Sequence, residues 1–305
     1  MRSLLFVPAD SERKIAKALS AGADALILDL EDSVAPNRRP QARKLASEFI
    51  RATLAQPQRP KLYLRINPID GGDAEADIAE VVPAGPDGIV QPKPNSGHDV
   101  QRLSIALSHI EERNGRGEHP TRILPIVTET PASVLQLSTY IGASSRTVGM
   151  SWGAEDLSAV VGSLYSRTPA GALTSPYRLA RDLCLLTAAA ADVQPIDTVF
   201  VNFRDTAGLR QEALEAARDG FTGKIAIHPD QVGPINEIFT PSAEEIAHAD
   251  AVARVFASNP EAGVASLNGV MLDRPHLKLA QKVLARAKSA GVASSVATPL
   301  PPSRE

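Results

Sequence analysis

Apolar and polar positions alternate between two rhythms along this chain. Short β-branched or leucine-rich runs recur, and each is followed by a longer stretch with helical spacing of its apolar residues. The short runs are SLLFV (3–7), ALILDL (25–30), KLYLRI (61–66), GIVQ (88–91), RILPIV (122–127), TVGMS (147–151), IDTVFV (196–201) and KIAI (224–227). The helical stretches begin with SERKIAKALSAG, where Gly22 marks an end, and finish with PDQVGPINEIF. Eight strand–helix units within about 240 residues predict an α/β fold of the (β/α)8 TIM-barrel type. A doubly wound sheet would want a Gly-rich turn after its first strand, and FVPADSER has none.

Residues 242–289 add two further helical patterns around GVASLNGVMLD, which reads as a hairpin turning at Asn268-Gly269. The expected organisation is a barrel over 1–240, a C-terminal helical arm over 241–289 packed on its own barrel or a neighbour's, and a flexible Ser/Pro-rich tail over 290–305.

Composition narrows the function classes. The 305 residues carry 32 Lys and Arg against 35 Asp and Glu, for a formal net charge of −3. The basic residues are scattered, which argues against a nucleic-acid partner. The single cysteine, Cys184 in RDLCLLTAAAA, excludes an internal disulfide framework and fits a reducing cytosol. The first apolar run is too short for a signal peptide and ends at Pro8 and Asp10. No run approaches the roughly 20 apolar residues that span a bilayer. The expectation is a soluble cytoplasmic protein with no membrane partner.

Barrel active sites lie at the C-terminal ends of the strands. The polar residues predicted there are Asp29, Glu31 and Asp32 after the second strand, Arg65 and Asn67 after the third, and Lys93 after the fourth. Glu129 follows the fifth, Glu155 and Asp156 the sixth, and His228 the eighth. Each alone has an ordinary reading: a helix-start acid for Glu129, a cap for Asp156, a solvated loop for LEDS, a structural ion pair for Arg65. Together they form an oxygen-rich cluster beside one guanidinium, and such a cluster needs a cation to stay ionised. One Cys and six dispersed His give no zinc spacing, whereas oxygen donors with an open, hydrated geometry favour Mg²⁺ or Mn²⁺. There is no G-x-S-x-G elbow. Lys93 could form a Schiff base with a keto acid, but the reading preferred is an ion-pair partner for the rim carboxylates.

The segments RSLLFVPADSERKIAKALSAGADALILDLEDSV, LRIN, PK, ETP, WGAEDL, GKIAIHPDQ and NGVMLDRP, in that order over about residues 2–285, resemble the citrate lyase beta-subunit-like proteins. These belong to the HpcH/HpaI aldolase superfamily with the malyl-CoA and citramalyl-CoA lyases. The resemblance implies a Mg²⁺-dependent barrel enzyme, active as a homotrimer or a multiple of it, that makes or breaks a carbon–carbon bond in a CoA thioester. By motif, Glu129 and Asp156 would ligate Mg²⁺, with Mn²⁺ as the alternative ion. Arg65 would contact substrate and steady the enolate oxygen, with Glu129 also bordering the substrate. Glu31 and Asp32 would line the site and orient metal waters. Asp273 would act as acid/base carboxylate, delivered from an adjacent subunit, which would account for the C-terminal arm. His228 and Pro229 would lie on the CoA-binding side.

Two departures stand out: Ser133 replaces the usual glycine of the ETxxG motif, and arginines 38 and 39 stand near the family's usual lysine. The products implied are acetyl-CoA or a similar acyl-CoA and a 2-keto acid such as glyoxylate or pyruvate. The alternatives are the beta subunit of a citrate lyase complex acting on citryl carried by an acyl-carrier protein, and a non-catalytic ligand-binding barrel.

Overall fold

The first apolar run forms strand β1 (Ser3–Pro8), which pairs in parallel with β2 (Ala25–Asp29) on one side and β8 (Gly223–Ala226) on the other. Strands β3 (Lys61–Arg65), β4 (Gly88–Gln91), β5 (Arg122–Pro125), β6 (Gly149–Ser151) and β7 (Gln194–Asp197) complete one parallel sheet, in the order β5-β4-β3-β2-β1-β8-β7-β6. Bridges Ile123–Thr147 and Ile126–Ser151 join the two ends, and the Val127 N–H donates to Ser151 O at 2.8 Å. A (β/α)8 barrel results. This computed structural model describes residues 1–116, 120–258 and 263–292.

Inward side chains from successive strands, among them Leu4, Ile27, Tyr63, Leu124, Ile196 and Ile225, fill the barrel. β2 is buried at every position, as a strand between that filling and an outer helix must be. The first helix, Glu12–Leu19, is capped at Ser20; Gly22 takes the left-handed turn just beyond, at φ +73°.

Two elements depart from the expected pattern. The seventh strand begins and ends earlier than IDTVFV suggests, at Gln194–Asp197. Its register with β6 and β8 pairs Pro195 with Met150 and Ile196 with Gly223, so Thr198–Val201 continue past the sheet into the rim. After β6 a short helix, Glu155–Val161, precedes the expected long one, Ser175–Ala190, where Cys184 is buried as a free thiol.

The chain divides into two units, Met1–Glu237 and Ile238–Glu305. In the second, helices Ala243–Ala257 and Arg274–Ser289 accompany an antiparallel hairpin, β9 (Val264–Leu267) and β10 (Val270–Asp273). Asn268 (φ 51°) and Gly269 (φ 81°) make its two-residue turn, the left-handed pair that Asn-Gly supplies at least cost. Ser242 and Glu245 close a reciprocal cap on the first of these helices, and Val252, Phe256, Leu272 and Ala280 form this unit's core. Residues 293–305, most of the expected tail, lie outside the described residues. Among the described residues no helix is long and apolar enough to cross a membrane.

Candidate active site

The ends of β2 and β3 meet through their last residues, which are register partners. Arg65 grips Asp29 with a two-pronged ion pair, Nε to Oδ1 and Nη2 to Oδ2, each 2.7 Å. Asp29 also accepts the backbone N–H groups of Glu31 (3.0 Å) and Ser33 (3.1 Å), so it shapes the loop after β2. Burial pushes Asp29 up, but the Arg65 bonds and charge more than reverse it and hold the carboxyl below its ordinary value. The guanidinium is stacked over Phe6, 4.5 Å from the ring centroid. Its remaining edge, Nη1, faces Glu31 Oε2 at 3.0 Å and Asp32 Oδ2 at 3.6 Å.

Lys93, after β4, adopts a left-handed backbone at φ 49°. A non-glycine residue rarely sits there without a purpose. Here the conformation serves two contacts at once. The Lys93 N–H donates to Glu129 Oε2 at 2.5 Å, while its ammonium sits 2.6 Å from Glu31 Oε1 and 3.2 Å from both Asp32 Oδ1 and Asp156 Oδ1. Lys93 is thus the ion-pair partner expected for the rim acids. Glu31, buried between two cations, is nevertheless pushed up to about 7 by desolvation, with Arg65 and Lys93 pulling against it.

Glu129 stands apart from the other acids. It is 3 % exposed, and among the described residues no basic side chain is in ion-pair contact with it. Burial and then the charge of Asp156 raise its pKa well above the ordinary value. Gly153 makes room for it: a Cβ there would fall 2.8 Å from Glu129 Cγ. The Gly153 N–H donates to Thr128 Oγ1 at 3.0 Å, tying the loop after β6 to the chain after β5.

Arg65, Glu129, Asp156 and Asp32 line one cavity of about 390 Å³, with Phe6, Trp152 and Thr198 among its other walls. Trp152 is fixed from behind: its Nε1–H donates to Asp197 Oδ1 at 2.7 Å, and Asp197 is paired with the buried Lys224 at 2.6 Å. His228 and Pro229 line an adjoining cavity of about 460 Å³ with Arg13, Lys14 and Lys17. The two cavities share Phe6, Pro8 and Ile227. Asp273 belongs to the second unit, where its Oδ1 lies 2.5 Å from His276 Nδ1.

Sequence reasoning missed Gly153, the Asp197–Lys224 support and the role of Ser133. The Ser133 hydroxyl donates to Val127 O at 2.6 Å and lies 2.6 Å from the Tyr140 hydroxyl, which reaches Pro94 O at 3.3 Å. The departure from glycine therefore links the Glu129 loop to the Lys93 loop. Only the replacement itself was visible beforehand.

A closed barrel whose strand ends carry a carboxylate cluster around a guanidinium defines the class: an α/β-barrel protein with an acidic rim site. Residues 2–229 match the HpcH/HpaI aldolase/citrate lyase family, and the chain belongs to it. It is 34% identical over 290 residues to a citrate lyase subunit beta of Haemophilus influenzae, covering 94% of this chain and 97% of the relative. It is 32% identical over 302 residues to a mitochondrial citramalyl-CoA lyase of Rattus norvegicus, with 94% and 86% covered. A crystal structure of CitE from Mycobacterium tuberculosis, in complex with magnesium, acetoacetate and coenzyme A, superposes with a TM-score of 0.73 at 33% identity, covering 94% of this chain and all of that one. The first two relatives are thus a lyase subunit and a lyase.

Proposed function

We propose that this chain is a Mg²⁺-dependent carbon–carbon lyase, or the reverse condensing enzyme, of a 3-hydroxyacyl-CoA thioester. The observation that carries the reading is Glu129: a buried carboxyl, facing the charge of Asp156, with no side-chain cation in contact with it among the described residues. Lys93 reaches Asp156 but not the Glu129 carboxylate through its ammonium, and a further cation between the two acids would favour the ionised form of Glu129. The donor set fits magnesium, which uses one or two carboxylates and takes its other ligands from water and substrate. Among the described residues no group of three or more His, Cys, Asp or Glu side chains is placed to hold a metal. Bound by Glu129 and Asp156, Mg²⁺ would supply Lewis-acid polarisation to the carbonyl and carboxylate oxygens of a 2-keto acid.

The chain's own residues supply the enolate donor, the water-orienting acids and the final proton. In cleavage, the 3-hydroxyl proton is lost to a base and the bond between C2 and C3 of the acyl group breaks. The electron pair passes to C2, giving a thioester enolate and a keto acid. Asp29 holds Arg65 in a fixed plane, leaving Nη1 as the donor for the enolate oxygen, an interaction that grows as charge develops there. Glu31 and Asp32, spaced around Lys93, orient water in the site. Asp273, supplied by a neighbouring subunit in a trimer or its multiple, gives the proton that turns the enolate into acyl-CoA. The cavity of Arg13, Lys14, Lys17, His228 and Pro229 suits the phosphates of free CoA, and its shared wall with the rim site lets a thioester arm reach Arg65.

A second reading is a beta subunit acting on citryl carried by an acyl-carrier protein, favoured by the 34% identity to the Haemophilus influenzae subunit. One assay separates the two. Malyl-CoA, citramalyl-CoA and the carrier-linked citryl thioester are each offered with Mg²⁺ and with excess EDTA, and keto-acid release is followed. Mg²⁺-dependent release from a free CoA ester is expected. Release from the carrier thioester alone selects the second reading, and undiminished release in EDTA removes the metal from both.

A further inference from the structure

The opposite end of the barrel holds a cavity of about 760 Å³, larger than either cavity at the rim. It opens at the N-terminal ends of β3, β4 and β5: Lys61 begins β3, Asp87 precedes β4 and Arg122 begins β5. Four cations line it, Arg59, Lys61, Arg116 and Arg122, against one carboxylate, Asp87. That carboxylate is already committed. It takes both prongs of Arg59, at 2.5 and 3.1 Å, and the Leu62 N–H at 2.7 Å.

Among the described residues, three positive charges then remain without a carboxylate partner. Arg116 donates Nη1 to a neutral acceptor, Val82 O, at 2.6 Å. Among the described residues no carboxylate pairs with Lys61 or Arg122, both of which are exposed. Gly85, left-handed at φ +96°, keeps the wall thin beside Arg116; a Cβ there would sit 3.3 Å from Arg116 Nη2. The inward-facing Tyr63 adds its phenol to the lining. Burial raises that phenol to about 12, so at neutral pH it is a donor.

The N-terminal end of a barrel ordinarily serves stability, and stability is served by paired charges. Arg59–Asp87 is such a pair, and so is the nearby Arg146–Glu111, at 2.7 Å. Three cations converging on one cavity, with no carboxylate partner among the described residues, fit a different use in a chain of net charge −3. We propose that this cavity binds a compact polyvalent oxyanion, a diphosphate or a tricarboxylate, held by Lys61, Arg116 and Arg122 with Tyr63 as hydrogen-bond donor. Guanidinium forks suit the oxygen edges of either anion, and the multiple charge is what three cations select over a monovalent one.

The test is calorimetric titration of the full chain, in EDTA, with inorganic pyrophosphate and separately with citrate. At least one should bind with a Kd below about 1 mM at low salt, weakening as ionic strength rises. K61Q/R122Q, two exposed changes checked for folding by circular dichroism, should weaken it at least about tenfold. K14Q/K17Q, which removes binding at the cavity proposed for the CoA phosphates, should leave the K61Q/R122Q-sensitive binding intact. Which anion binds tighter identifies phosphate or carboxylate as the ligand chemistry. The site is refuted if neither anion binds at about 10 mM, if K61Q/R122Q binds like the wild type, or if the loss follows K14Q/K17Q instead.

Discussion

At Glu129, burial and charge are in open conflict. Burial and Asp156 both favour the protonated form, so in the metal-free protein its ionisation opposes folding. The sign follows from linkage. A carboxyl raised in the folded state loses stability as pH climbs through the folded value, and regains it as pH falls toward the unfolded one. Glu129→Gln should therefore raise the melting temperature of the metal-free protein at about pH 8 while abolishing turnover. The stabilisation that Mg²⁺ gives the wild type should likewise be larger at about pH 8 than at about pH 5.5, where a proton competes with the ion. Thermal melts with and without Mg²⁺ check both outcomes, and equal Mg²⁺ shifts at the two pH values would contradict this account of Glu129. Arg65 acts at the same scale through its Nη1 edge, which faces Glu31 and Asp32. Arg65→Gln should raise the barrier by about 2.7–4 kcal/mol, read as a fall in kcat, because a preorganised oxyanion donor is lost.

Elements decide which of these contacts could be foreseen. The acids at strand ends were legible because strand period and barrel polarity are local signals, and the structure brings Arg65, Glu129 and Asp156 to one cavity. The seventh strand was misread because TVFV continues its β-branched run past the sheet; Val199 still packs on the barrel core while Val201 is exposed. Pro195, which lacks a ladder donor, also hides the true start of β7. The left-handed Lys93, the Asp29–Arg65 fork and the approach of Gly153 to Glu129 were not legible. Each depends on where segments distant in sequence meet. Gly153→Ala tests that meeting directly. Its Cβ should displace Glu129 and lower Mg²⁺ affinity at least about tenfold while circular dichroism stays that of the wild type.

For the molecule as a whole, the proposed role of Asp273, on the second unit, predicts that active sites are completed between subunits. If a neighbour supplies it, Asp273→Asn should keep Mg²⁺ and keto-acid binding and lose kcat. Mixing it with inactive Arg65→Gln should restore part of the activity, because mixed oligomers contain sites with both wild-type groups. Mixtures no more active than their components would place Asp273 within its own chain or outside the reaction. The most direct measurement of the central claim is calorimetric titration of Mg²⁺, in the presence of pyruvate, into wild type, Glu129→Gln and Asp156→Asn. One ion per chain should bind to the wild type and none to either variant; variants that bind it as the wild type does would contradict a magnesium site at Glu129 and Asp156.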